Sequence, residues 1–228
     1  MPAKTSQYLL SDPASLRRIK LLQFRSQVPA LLLLLLALAL NYIFPSANLY
    51  KLALLMAIVA VAWFLYLGFC YRYRQRIPIP PEGSLVSPVQ GNIRSVQGND
   101  DITLVNIRKM VLDSVEIRSP HQDCTLEDGV LHLALAAGKI SFRFNIPRVI
   151  WFNDPDFSTG NIIGMAVGAG NCTITLPGSL ELDLKPGQAL DAGSPIIPNL
   201  LEADVRTKPE RQVVLEALAD FDEESTDI

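Results

Sequence analysis

The chain opens with two long apolar stretches, and beyond them the pattern breaks into short alternating runs. Val28 to Phe44 carries no charge and contains the leucine run Leu31 to Leu36. At about 17 residues it meets the lower limit for a membrane-crossing helix. Pro45-Ser46-Ala47-Asn48 reads as a turn. Leu52 to Tyr71 is a second uncharged stretch, with Trp63, Phe64, Tyr66 and Phe69 toward its far end, where aromatic side chains anchor a helix at a membrane interface. A cleaved leader is disfavoured, because no clean cleavage site follows the first stretch and a second stretch comes at once.

Ahead of the first stretch, Ser11 to Arg25 has helical spacing. Asp12 suits an N-cap and Pro13 the first helical position. Leu16, Ile19 and Leu22 or Gln23 share a face, with Arg17, Arg18 and Lys20 available to lipid phosphates. Two readings fit: an interfacial helix leading into the membrane, or a polar tail with some helix.

From Arg76 the texture changes. Pro78, Pro80 and Pro81 end any helix and impose an extended linker. Strands are predicted at Leu85-Val86, Ile102 to Ile107, Val130 to Leu135, Ile140 to Phe144, Val149 to Phe152 and Cys172 to Leu176. Phe142 and Phe144 flank Arg143 with the period of a half-buried strand. Leu180 to Ile197 runs as an alternating strand, a Pro-Gly turn and a second glycine, so Gly187 and Gly193 are expected in tight turns. Beyond Glu202 the chain is polar. It is expected to be a solvated tail with an acidic end, within which Arg211 to Phe221 has the spacing of a helix.

Charge placement adds orientation. Lys4, Arg17, Arg18, Lys20 and Arg25 precede the first stretch, and Arg72, Arg74 and Arg76 follow the second, whereas the loop between them offers only Lys51. Basic residues near span ends stay cytoplasmic, which places both termini in the cytoplasm. The 228 residues are 49% hydrophobic and 19% charged, with a formal net charge of -3. That composition suits a hairpin plus one β-rich domain and argues against general nucleic-acid binding.

Candidate chemistry is sparse. Cys70, Cys124 and Cys172 have no metal-knuckle spacing and read as small buried hydrophobes. His121, Asp123 and Cys124, with Glu127 and Asp128, read as a solvated turn rather than a metal site. His132 is expected to point outward from a strand. The glycines from Gly164 to Gly170 lack the Lys and Ser/Thr of a phosphate loop and read as a strand edge or a close backbone approach.

Three segments, in order, resemble phosphatidylserine decarboxylases of the short bacterial, membrane-anchored type. Tyr71 to Ile93 runs from the hairpin through an Arg- and Pro-rich linker into Ser87-Pro88-Val89-Gln90-Gly91, similar to the family's S-P-A-D-G. Asp113 to Pro120, DSVEIRSP, is similar to D-V-H-V-N-R-x-P. Gly160 to Pro177 resembles the family's G-E-R-x-G-M segment through Gly160, Gly164, Met165, Leu176 and Pro177.

The resemblance implies a fold: a two-helix transmembrane hairpin, then an all-β domain of the lipoyl-like, barrel-sandwich hybrid type. It implies segments 1–27, 28–71, 72–84, 85–200 and 201–228 as amphipathic region, hairpin, basic linker, β domain and tail. It also shows what is missing. The family's Asp falls on Gln90 and its His on Val115. Its self-cleaving serine falls on Gly170, or on Asn171 with a shift of one. In the family that serine breaks the chain and becomes a pyruvoyl cofactor, which carries the hard chemistry. Without it no pyruvoyl forms. Cys172, Thr173 and His121 are the nearest substitutes, and each requires a displaced register.

Three functions are therefore open. The first is a non-catalytic decarboxylase-like protein, multi-pass in the bacterial inner membrane, that carries no cofactor. It binds phospholipid through Arg17, Arg18, Lys20, Arg72, Arg74 and Arg76, or binds a membrane protein. The second is an active pyruvoyl decarboxylase making phosphatidylethanolamine with a displaced nucleophile. The third is an adaptor subunit of a membrane complex.

Overall fold

The computed structural model describes residues 8–43, 47–99, 101–135, 138–178, 182, 184–198 and 200. The expected C-terminal helix at 211–221 and the tail lie outside the described residues.

The chain begins with a short strand, β1 (Tyr8–Leu10), and then α1 (Pro13–Ile43) and α2 (Ala47–Cys70). Asp12 caps α1 as its position suggested: its carboxylate accepts from the Ser15 amide at 2.9 Å and the Ala14 amide at 3.2 Å. Those bonds, the Ser15 amide first, hold the Asp12 carboxyl below its ordinary range. No break separates the amphipathic segment from the first apolar stretch. Both belong to one helix of 31 residues, with Pro29 inside it, roughly 46 Å long at 1.5 Å per residue.

The two helices are long and apolar enough to cross a membrane. Where they lie side by side, small residues fill the seam: Ala30 and Ala37 on α1, and Ala53 and Ala60 on α2, are all buried. Seven-residue spacing on each helix keeps the alanines in line and lets the backbones approach closely. Leu32, Leu35, Leu36, Leu54, Leu55 and Ile58 face outward and are exposed. Near the open end of the hairpin, Gln27 donates to the Phe64 carbonyl at 3.3 Å, and the Ser26 and Tyr71 hydroxyls meet at 2.7 Å.

The remaining strands are β2 (Arg76–Pro78), β3 (Leu85–Val86), β4 (Gly91–Gly98), β5 (Ile102–Lys109), β6 (Glu116–Arg118), β7 (Thr125–Glu127) and β8 (Val130–Leu135). They continue with β9 (Gly138–Asn145), β10 (Arg148–Trp151), β11 (Ile162–Val167), β12 (Gly170–Pro177), β13 (Ala189–Leu190) and β14 (Pro195–Ile197). The largest sheet is antiparallel, in the order β13-β4-β5-β12-β9-β8-β7. A three-stranded sheet, β10-β11-β6, faces the hairpin side, and the pairs β3–β14 and β1–β2 complete the structure. The six short runs expected between Leu85 and Leu176 form as β3, β5, β8, β9, β10 and β12, while β1, β2, β4, β6, β7, β11, β13 and β14 come in addition. The alternating strand expected from Leu180 lies partly outside the described residues, and Leu182 and Leu184 are in no strand.

Alternation builds the interior. Val105 and Ile107 on β5, Ile140 and Phe142 on β9, and Cys172 and Ile174 on β12 all enter one apolar core. Arg143 is exposed between Phe142 and Phe144. Gly187 and Gly193 have φ of 87° and 86°, the left-handed values their turns require. β11 is buried almost throughout because it has two partners. Ile163 and Ala166 face the sheet core, while Ile162 and Met165 join a second cluster with Ile19 of α1, Cys70, Tyr71, Val115 and Phe152. The face of α1 carrying Leu16, Ile19 and Leu22 therefore packs on the β region.

Candidate functional site

Three stretches of chain meet where the hairpin joins the β region: β1, the segment after α2, and β6. Arg118 of β6 is their common donor. It gives hydrogen bonds to the Gly160 carbonyl at 2.8 Å, the Arg74 carbonyl at 2.8 Å and the Ser11 hydroxyl at 3.2 Å. Glu116, two residues before it, accepts from the Arg74 amide at 3.2 Å and lies 3.7 Å from the Arg118 guanidinium. Both side chains are fully buried. Burial lowers the pKa of Arg118, and the Glu116 charge opposes that shift; a guanidinium stays protonated even so. Arg74 in turn pairs with Asp191 at 2.6 Å, a half-exposed contact that raises the Arg74 pKa.

Lys109, the last residue of β5, is also fully buried. Its ammonium donates to the carbonyls of Met110 at 3.3 Å and Asp113 at 3.2 Å. Burial lowers its pKa, while Asp113 and Glu116 pull the other way. The Glu116 Oε2, Arg118 Nε and Ser114 Oγ atoms are buried without a hydrogen-bond partner among the described residues.

The positions singled out by the family resemblance gather around this loop. Gln90 Oε1 accepts the Ser114 amide at 2.8 Å, and its Nε2 reaches Asp191 at 3.5 Å. Val115 is buried; its amide donates to the Arg72 carbonyl at 2.8 Å, and its carbonyl accepts from Ala166 at 2.7 Å. Gly170 opens β12 directly opposite Lys109. Gln90 and Val115 are thus tied through the 110–115 segment to the end of α2, while Gly170 pairs with Lys109, the residue just before that segment.

Gly170 sits in a tight cradle. A Cβ placed on it would lie against the Asn145 carbonyl oxygen, 2.8 Å from Ile146 Cγ1 and 2.9 Å from Ile146 Cα. A side chain does not fit there unless the neighbouring strand moves. Gly164 is similar, with a Cβ 2.8 Å from the Ile150 carbonyl oxygen. Close backbone approach accounts for both glycines.

The substitutes do not assemble into a nucleophilic site. Asn171 and Thr173 are held in the β12 ladder, between Arg108 and Asn145 and between Asn106 and Arg143. Cys172 points into the core, and burial drives its thiol pKa upward, away from the reactive thiolate. Cys124 is likewise pushed up to about 12 by burial. His121 lies in the turn after β6, where its Nδ1 accepts the Asp123 amide at 3.2 Å. Among the described residues none of its hydrogen bonds runs to Gln90, Val115 or Gly170. No cluster of His, Cys, Asp and Glu suited to a metal occurs among the described residues.

The basic residues divide. Arg18 turns to the protein, donating to the Asn153 carbonyl at 3.0 Å with its guanidinium 5.5 Å from the Phe152 ring centre. Arg74 is held by Asp191. Arg17, Lys20, Arg72 and Arg76 are exposed. Sequence reasoning passed over Lys109, Glu116 and Arg118 as buried groups. Glu116-Ile117-Arg118 has the alternation of a strand with its charges in water; Ser11, the segment at Arg74, Gly160 and Gly193, all distant in sequence, close that face.

No family model matches the chain, and no curated protein or solved structure matches it either.

Proposed function

We propose that this chain is a membrane-anchored, phosphatidylserine decarboxylase-like protein that has given up self-processing and binds phospholipid at the cytoplasmic face. Its β region is of the lipoyl-like type, and the hairpin holds it to the bacterial inner membrane with both termini inside. The observation that carries the reading is the cradle at Gly170. At the position where the family needs a serine, Asn145 and Ile146 occupy the space of a side chain. Gln90 stands where a carboxylate would orient the reaction and instead holds the Ser114 amide. Buried Val115 stands where an imidazole would be. Ser114 has a buried hydroxyl with no base bonded to it among the described residues, so nothing there activates it.

The geometry also supports the anchoring. β1, ahead of α1, pairs with β2, after α2. The two ends of the hairpin therefore leave on the same side, and Arg17, Lys20, Arg72 and Arg76 are exposed at that end. Such a ring suits anionic lipid head groups.

Mass measurement of the purified full-length chain tests the loss of processing. The expected result is one intact polypeptide of 25.1 kDa; two fragments, one blocked by a pyruvoyl group, would overturn it. For the binding role, phosphatidylglycerol added to the delipidated chain in mild detergent should raise its melting temperature, and high salt should weaken the effect. No shift with any phospholipid, together with a stoichiometric protein partner on purification, would move the reading to an adaptor subunit.

A further inference from the structure

We infer that the turn joining β5 to β6 is a third membrane contact, inserting Met110 and Leu112 into the head-group–acyl boundary of the leaflet from which the hairpin emerges. The inference rests on the membrane reading of the hairpin and deepens it. Met110 is 47% exposed and Leu112 56% exposed, two large apolar side chains on one short turn. Val111 between them packs into the junction cluster with Cys70 and Tyr71. The Val115 amide bonds the Arg72 carbonyl. The turn is thus pinned on both flanks to the residues where α2 ends, at the depth where an interface lies.

Its construction suits an apolar medium. Backbone groups facing lipid must be satisfied from within the protein. The Met110 amide donates to the Asp113 carboxylate at 2.6 Å, and the Asp113 amide to the Met110 carbonyl at 3.2 Å. The carbonyls of Met110 and Asp113 both accept from buried Lys109. A lysine drawn inside to hold two carbonyls leaves the turn rigid and its outward surface dominated by Met110 and Leu112. Val111 packs the turn against Cys70 and Tyr71 at the end of α2, where neighbouring Phe69 is exposed. Arg72 and Arg108, both exposed, flank the turn for phosphate contact. Attachment of the turn to the end of α2, a helix long and apolar enough to cross a membrane, selects lipid over a protein as the occupant. Hairpin and turn together would fix the tilt of the β region.

The full chain, reconstituted into vesicles of phosphatidylethanolamine and phosphatidylglycerol, tests this. An environment-sensitive fluorophore is placed in turn at Leu112→Cys, at Leu55→Cys within α2, and at Asn99→Cys. Asn99 lies beyond the opposite end of β5, roughly 25 Å along the strand direction. The label at 112 should be quenched by lipids carrying a nitroxide near the head group and shielded from aqueous iodide. The label at 55 should be quenched by nitroxides deeper in the chains, and that at 99 by iodide alone. Iodide quenching at 112 with lipid quenching at 55 overturns the turn's insertion and leaves the anchoring intact. Loss of lipid quenching at 55 overturns the anchoring, and the turn with it. Shielding at 112 from both quenchers means that a protein surface, such as a second copy, covers the turn, and the proposal falls. Met110→Cys repeats the measurement at the neighbouring exposed position if the first variant fails to fold.

Discussion

The core of the β region and the junction with the hairpin are both closed to water, yet they are built from different materials. Phe142, Ile140, Val105, Ile107 and Ile174 fill the first with hydrocarbon. The second sets Ile19, Val115 and Met165 beside fully buried Glu116, Arg118 and Lys109. Hydrocarbon burial stabilises without direction. A buried ion pair adds little net stability, because the loss of hydration offsets the attraction. Its bonds are directional, however, and those of Arg118 end on three separate stretches of chain. The difference teaches that the core makes the β region stable, while the junction fixes how that region sits on the hairpin.

Paired substitutions break or sharpen that contrast. Arg118→Met should cost about 3–5 kcal/mol, since it takes from buried Glu116 its guanidinium partner. Phe142→Ala should cost a similar amount, about 3–5 kcal/mol, through a cavity. Hydrogen exchange in detergent separates them. Arg118→Met should raise exchange first around β1, β2 and the 71–76 segment, whereas Phe142→Ala should raise it across β5, β9 and β12. Identical exchange patterns would refute the division of labour.

Gly170→Ser comes next, at about 1–3 kcal/mol of strain. It supplies the family's hydroxyl and should still yield an unbroken chain by mass, because the cradle, Gln90 and Val115 remain.

Lys109 gives the junction a pH signature that the apolar core lacks. Burial holds its folded pKa below the ordinary 10.5. The unfolded chain therefore binds the proton more tightly, and stability should rise as pH climbs through the folded value toward 10.5. Lys109→Met should flatten that rise in melts taken across alkaline pH. It should also lower stability at neutral pH by about 1–3 kcal/mol, through the two carbonyls left unpaired.

Asp12→Ala is the smallest change, about 1 kcal/mol from a lost helix cap. Its carboxyl is depressed in the fold, so the capping contribution is present above the ordinary value of 3.8 and vanishes as pH falls through the lower folded value. Acid titration of helix content in wild type and variant checks it.

Much of the architecture was legible in the residues. Uninterrupted hydrophobicity marks the second half of α1 and most of α2, Asp12-Pro13 marks the start of the first helix, and two-residue periods mark β5, β8, β9 and β12. Strands β4 and β11 escaped because polar residues interrupt the first, while the second is buried on both faces and does not alternate. The site was legible in part. Gln90, Val115 and Gly170 stand out by resemblance; Gln90 meets Ser114 beside Val115, while Gly170 lies opposite Lys109 on β12. Lys109, Glu116 and Arg118 gave no local signal, since a charge beside an apolar residue reads as a solvated strand.

The sequence alone dictated the apolar helices, the capped helix start, the places where strands form and the lack of a serine at residue 170. These depend on neighbours a few positions apart, whose side chains already state their period and chemistry. Tertiary packing decided that the first half of α1 covers the β region, that Arg118 reaches Ser11 across 107 positions, and that Gly170 has no room for a side chain. Each depends on which distant surfaces exclude water from one another, and such exclusion exists only once the chain has closed.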